Sequence, residues 1–187
     1  YADPRIKQSY IWQGYSDAID TKYATQGELR MSTFQRALRK IEHYLPNKGS
    51  ILDVGCAAGF FLKVAKDSGW KAQGLEPNKG LAAFGRERYD IDITSTDLLS
   101  APFPDSSFDA ITFWDVLEHV ADPQAHVKKA FQLLKNGGYV FVNYPDFGSS
   151  LAKLAKQKWW FLSPVHIYYF NRKTISRLLE QEGFVVV

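Results

Sequence analysis

From Ser50 onward, short apolar runs alternate with stretches of helical period. Ile51-Leu52-Asp53-Val54 reads as a buried strand ending at a glycine, and Phe60 to Asp67 places Phe61, Val64 and Ala65 at helical spacing. Gly69 stops that helix. Lys71 to Leu75 predicts a second strand, Leu81 to Arg88 a second helix, and Ile91 to Thr94 a weaker third strand. Phe108 to Trp114 predicts a fourth, after the turn-rich stretch 102–107. Asp122 is placed to cap the next helix and Pro123 suits its first position, with Val127, Phe131 and Leu134 on one apolar face. Asn136-Gly137-Gly138 is expected to end that helix before a strand over Tyr139 to Tyr144. After an irregular aromatic stretch, Lys173 to Glu182 predicts a last helix and Phe184 to Val187 a sixth strand.

Repeated strand–helix alternation implies an α/β fold, doubly wound, with a mostly parallel sheet and helices on both faces. Residues 1–48 differ in character. Ser32 to Leu45 is an amphipathic helix with Phe34, Leu38, Ile41 and Leu45 on one side, and Tyr10 to Tyr15 is aromatic without period. The expected division is a helical and aromatic cap over 1–48 and a ligand-binding sheet over 49–187, within a single structural domain. The chain opens on Tyr1 and stops inside Gly183-Phe184-Val185-Val186-Val187, which suggests an incomplete domain with its C-terminal strands unfinished. Phe184 to Val187 is then expected to pair inward, to pair with a second copy as a homodimer, or to be poorly ordered, because an apolar unpaired edge associates readily.

Composition narrows the setting. With 45% hydrophobic and 23% charged residues the chain belongs among globular domains, not disordered ones. A net charge of +3 is too small to call for a nucleic-acid partner. No apolar run reaches the ~18 residues of a membrane span, and the N-terminus lacks a signal-peptide pattern. One cysteine, Cys56, excludes an internal disulfide and a multi-cysteine metal cage, so no metal and a cytoplasmic location are expected.

The candidate chemistry falls at strand ends, where doubly wound sheets bind ligands. After the first strand comes Asp53-x-Gly55-x-Ala57-x-Gly59, small residues that let a backbone approach a ligand. Glu76 ends the second strand 23 positions beyond Asp53, close to the ~20-residue offset at which an acid meets ribose hydroxyls in dinucleotide folds. A dinucleotide loop reads G-x-G-x-x-G, whereas this one reads G-x-A-x-G behind an acid. That carboxylate would repel a pyrophosphate but suits a ligand carrying ammonium and sulfonium groups.

Five segments together resemble the class I S-adenosylmethionine-dependent methyltransferases: Ile51 to Gly59, Gly74-Leu75-Glu76-Pro77, Phe108-Asp109-Ala110-Ile111, Leu117 to Pro123, and Leu134 to Gly138. The resemblance is greatest to their small-molecule branch, related to ubiquinone-biosynthesis methyltransferases, and spans about residues 45–187. It implies a Rossmann-like sheet with S-adenosylmethionine as cofactor and S-adenosylhomocysteine as product. Gly55, Cys56, Ala57 and Gly59 would then line the methionine and ribose portions, with Asp53 reaching the amino group directly or through water. Glu76 would hold the ribose hydroxyls, Pro77 would pack beside the adenine, Asp97 would accept from the adenine amino group, and the Leu98 N–H would meet a ring nitrogen. Trp114 and Asp115 would stand where the methionine portion and the entering acceptor meet. Ala57 departs from the glycine often found at its position.

Simpler roles compete with these. Gly55 and Gly59 can merely join a strand to a helix, and Asp97 can be a turn acid. His119 and His166 are the candidate catalytic bases, each with the alternative of a histidine bonded to backbone. His126 and His43 read as packing or surface residues. His166 lies in the aromatic stretch Trp159 to Phe170, expected to meet Tyr10 to Tyr15 over the carboxyl ends of the first and fourth strands. No Asn/Asp-Pro-Pro-Tyr/Phe run follows the fourth strand, which disfavours exocyclic amines of bases as acceptors. Methylation of a small or carrier-linked compound at oxygen is the leading expectation. An inactive cofactor-binding interaction domain and an RNA methyltransferase are the alternatives.

Overall fold

Buried strands in a parallel sheet are apolar on both faces, and β1 (Ser50–Val54) shows it, with Ile51, Leu52 and Val54 all enclosed. The computed structural model describes residues 27–162 and 165–187, so Tyr10 to Tyr15 lies outside the described residues. Helix α1 (Gly27–Tyr44) precedes β1. Then follow α2 (Phe60–Asp67), β2 (Lys71–Leu75), α3 (Lys79–Tyr89), β3 (Asp92–Thr94), β4 (Phe108–Trp114), α4 (Pro123–Leu133), β5 (Leu134–Asn143), α5 (Ser150–Ala155) and α6 (Arg172–Gln181). The five strands are parallel throughout, in the order β3-β2-β1-β4-β5. The chain therefore winds outward from β1 in one direction and returns to build β4 and β5 on its other side. The junction of β1 and β4 is the topological switch point, where such sheets open a crevice at their carboxyl ends.

Two cores flank the sheet. On one side Leu38 and Ile41 of α1 pack with Phe61, Val64 and Ala65 of α2, Trp70, and Ile51 and Ala110 of the sheet. Helix α1 thus shares a core with the strands and does not stand apart from them. On the other side α4 and α6 bury Val127, Ala130, Leu133, Ile175 and Leu179 against β4 and its surroundings. Asp122 caps α4 by accepting from the Ala125 N–H at 2.9 Å. Its buried face differs from the sequence expectation. Ala130 and Leu133 join Val127, while Phe131 is exposed and Leu134 already begins β5.

Three further differences have local causes. Asn136-Gly137-Gly138 does not separate helix from strand. It forms an irregularity inside β5, between the pairs Phe108↔Leu134 and Ala110↔Tyr139. The helix α5 lies in what reads as irregular sequence, capped by Ser149, whose Oγ accepts from the Ala152 N–H at 3.2 Å. The third concerns the C-terminal run, where no strand forms. Gly183, at φ 96°, turns the chain at the end of α6, and the Phe184 N–H donates back to the Leu179 carbonyl. That closure lays Phe184 against Phe131 of α4, ring centroids 5.1 Å apart. Val185 and Val187 are 85% and 83% exposed, with no strand partner among the described residues. The expectation of a sixth strand paired inward over Phe184 to Val187 is corrected accordingly, and β5 forms the edge of the described sheet.

Candidate cofactor and acceptor site

The loop between β1 and α2 alternates left-handed residues: Gly55 at φ 67°, Ala57 at 49° and Gly59 at 76°. A Cβ on Gly55 would stand 2.8 Å from Val116 Cγ2, and one on Gly59 2.1 Å from Ile91 Cδ1, so a side chain at either would be strained in backbone and would have to displace Val116 or the tip of Ile91. Ala57 holds the same conformation with a Cβ, at a cost of roughly 1–2 kcal/mol. Ala57→Gly should therefore stabilise the protein by about 1 kcal/mol, after the added freedom of the unfolded chain is subtracted. A urea midpoint that falls instead would show that the Ala57 methyl makes packing contacts worth more than the strain.

The same loop is tied to the end of β2. The Ala57 N–H donates to Glu76 Oε2 and the Asn78 N–H to Glu76 Oε1, each at 2.8 Å. Burial pushes the Glu76 carboxyl above its ordinary range while these two N–H groups pull it down. A carboxylate has about four acceptor positions, so two remain for ligand hydroxyls. Asp53 is 2% exposed and accepts from Thr112 Oγ1 at 2.7 Å. Burial pushes its carboxyl up to about 8, with the Glu76 charge adding to the rise. The Cys56 side chain packs among Leu62, Ala82, Ile91 and Ile93, and burial pushes its thiol well up.

A cavity of about 520 Å³ opens at the carboxyl ends of β1, β2 and β4. Its lining includes Gly55, Glu76 and Pro77 after β1 and β2, Asp97 and Leu98 after β3, and Trp114, Asp115 and His119 at and after the end of β4. Asp53, Cys56, Ala57, Gly59 and His166 are not among its lining residues. Asp97 also serves its turn, accepting from the Ser100 N–H at 2.9 Å through Oδ1. The Trp114 ring packs against Phe34 and Phe61, and its indole N–H is buried without a partner among the described residues. Asp115 stands at φ 55° and accepts from Asn143 Nδ2 at 2.7 Å. Loss of solvation raises its pKa, opposed by that amide and by the nearby His166 and Arg30.

Sequence reasoning passed over Arg30 and read His126 only as a packing or surface residue, yet both line the cavity. Arg30 reaches the cavity from α1, and His126 reaches it from α4 while bonding the Asp122 carbonyl through Nδ1 at 2.8 Å. No local signal marks either, because each depends on how its helix docks on the sheet.

The aromatic segment runs beside the residues that follow β4. The Ile167 and Tyr168 N–H groups both donate to the Glu118 carbonyl, at 2.8 and 3.1 Å. The His119 and His166 rings meet at 4.7 Å, and His119 Nδ1 bonds the Val165 carbonyl at 2.9 Å. Burial lowers the pKa of both imidazoles. Trp159 is buried and Trp160 exposed.

A parallel sheet with its switch point at β1 and β4, and an acid-flanked glycine loop above it, defines a Rossmann-like α/β domain of the nucleoside-binding kind. Residues 23–187 match the methyltransferase domain family, and the chain belongs to that family. It is 29% identical over 137 residues to a probable S-adenosylmethionine-dependent methyltransferase of Mycolicibacterium smegmatis, covering 73% of this chain and 52% of that protein. It is 30% identical over 110 residues to a ubiquinone biosynthesis O-methyltransferase of Coxiella burnetii, covering 56% of this chain and 47% of that protein. The chain thus spans about half the length of the curated relatives it matches. A SAM-dependent methyltransferase from Thermotoga maritima superposes with a TM-score of 0.75 at 21% identity, covering 94% of this chain and 82% of that one, a likeness of fold. The cofactor of this class is S-adenosylmethionine. Among the described residues no helix is long and apolar enough to cross a membrane.

Proposed function

We propose that this domain methylates an oxygen of a small or carrier-linked acceptor. The observation that carries this reading is one cavity lined by Glu76 and by Trp114, Asp115 and His119. The residues fit the cofactor: Glu76 keeps acceptor positions for the ribose hydroxyls, and a Cβ at Gly55 would press on Val116 beside the same cavity. Asp97, Leu98 and Pro77 would hold the adenine end. The Gly55–Gly59 loop and Trp114 would hold the methionine end, with Asp53 acting from beneath the loop. When bound, the cofactor supplies an activated methyl group on a sulfonium. The protein's work is then to position the acceptor and exclude water.

A hydroxyl must give up its proton as it is methylated, and a wall bearing Asp115 and His119 suits that need. The name of the Coxiella burnetii relative points the same way. His166, against the His119 ring, would act through it. Incubation with methyl-labelled S-adenosylmethionine and matched panels of hydroxyl and amine compounds tests the reading by mass spectrometry. Label on hydroxyl compounds is expected. Label on amines alone, or on RNA with strong salt dependence, would reassign the acceptor. Cofactor binding with no labelled product would instead indicate an inactive interaction domain. A homodimer across the exposed β5 edge is a separate proposal, read from molecular mass in solution.

A further inference from the structure

Beside the cavity lies a cluster in which the reading above gives the two histidines a role and leaves Glu118 without one. Glu118 is 1% exposed, and neither of its carboxylate oxygens has a hydrogen-bond partner among the described residues. A buried carboxylate left this way is costly and is ordinarily neutralised by a proton or a cation. One carboxylate oxygen of Glu118 and one ring nitrogen from each of His119 and His166 lie within 4.8 Å of one another.

The surroundings prepare both imidazoles to donate lone pairs. His119 Nδ1 meets the Val165 carbonyl, which only accepts, so Nδ1 carries the hydrogen and Nε2 the lone pair of the neutral ring. His166 is likewise hydrogen-bonded to the Phe161 backbone. A backbone carbonyl that fixes the tautomer and orientation of a histidine is the usual outer support of a metal ligand.

We propose that Glu118, His119 and His166 bind a divalent transition-metal ion of the zinc class. Two imidazoles and one carboxylate form a ligand set that suits Zn²⁺ and leaves a coordination position open. Ligands about 2.0–2.2 Å from an ion stand roughly 3.5 Å apart, so the three groups need to close by about 1 Å. Glu118 and His119 are held by the chain that follows β4, and the Glu118 carbonyl anchors Ile167 and Tyr168, which brings His166 to the same point. His119 also lines the cavity, so the open position would face the acceptor. Polarisation of an acceptor hydroxyl by the ion rests on the proposed oxygen transfer, whereas metal binding itself does not.

The test is calorimetric titration of ZnCl₂ into the chelator-treated chain, with neither S-adenosylmethionine nor acceptor present. One ion per chain is expected, with affinity weakened at least about tenfold in Glu118→Gln and in His166→Ala. His43→Ala, at an exposed position on α1, should bind zinc as the parent does. Should Glu118→Gln fail to fold, His166→Ala and the visible spectrum of the Co²⁺-loaded parent decide, since Co²⁺ absorption reports the ligand set. No binding by the parent, or binding unchanged in His166→Ala, would overturn the proposal. Because no acceptor is present, an error in the acceptor assignment cannot produce either result.

Discussion

S-Adenosylmethionine at a hundredfold excess over its dissociation constant should raise the melting temperature by roughly 5–10 °C. A ligand that binds only the folded state contributes about 2.7 kcal/mol at that excess, and each kcal/mol moves a domain of this size by about 2–4 °C. Glu76→Ala should remove most of the shift. The two hydroxyl contacts of a carboxylate are each worth about 1.5–3 kcal/mol, so affinity should fall by a hundredfold or more. The same substitution deprives the Ala57 and Asn78 N–H groups of their acceptor and will lower the ligand-free melting temperature as well. The quantity to compare is therefore the ligand-induced shift of each variant against its own ligand-free state. Stabilisation by NADH but not by S-adenosylmethionine would sink the cofactor assignment and the function proposed from it.

Between pH 6.5 and pH 8 the ligand-free protein should lose stability as pH rises, and Asp53→Asn should flatten that decline. The carboxyl of Asp53 is pushed up to about 8 in the folded chain, against about 3.9 when unfolded. Across this interval the folded state holds a proton that the unfolded state has released. Its contribution to stability is therefore complete below the unfolded pKa and disappears as pH climbs through the folded one. The slope from one such group is at most about 1.4 kcal/mol per pH unit. Glu118, pushed to about 8, and Glu76, raised as well, act in the same direction. His119, His126 and His166 are shifted downward, so their opposing effect falls below about pH 6.5, which sets the lower limit of the window. The neutral amide of asparagine can still accept from Thr112. Urea denaturation of parent and variant at several pH values reads the difference directly. Parallel stability–pH curves would show that Asp53 ionises normally.

Much of the scaffold was legible because local physics defines it. Phe108 to Trp114, Lys71 to Leu75 and Phe60 to Asp67 were read with the bounds observed, since a buried parallel strand is an apolar run and a docked helix repeats its apolar face. The Asp122 cap followed by Pro123 is equally local. The C-terminal run failed for the complementary reason. Phe184 to Val187 has strand-like composition, but Gly183 and the hydrogen bonds closing α6 lay Phe184 against Phe131 of α4, and no strand forms.

The sequence by itself determined the alternation of elements, the glycine loop behind Asp53 and the acid at the end of β2. Each depends on residues close in the chain and on the fixed periods of strand and helix. Only the tertiary structure decided which side chains share a space. It turned Cys56 into the packing between α2, α3 and β3, and brought Arg30 from α1 and His126 from α4 to the cavity. It also joined His166 to Glu118 and His119 across a long stretch of sequence, through two backbone bonds to one carbonyl. Periodicity specifies a face but not its partner; strand order and helix docking supply the partner.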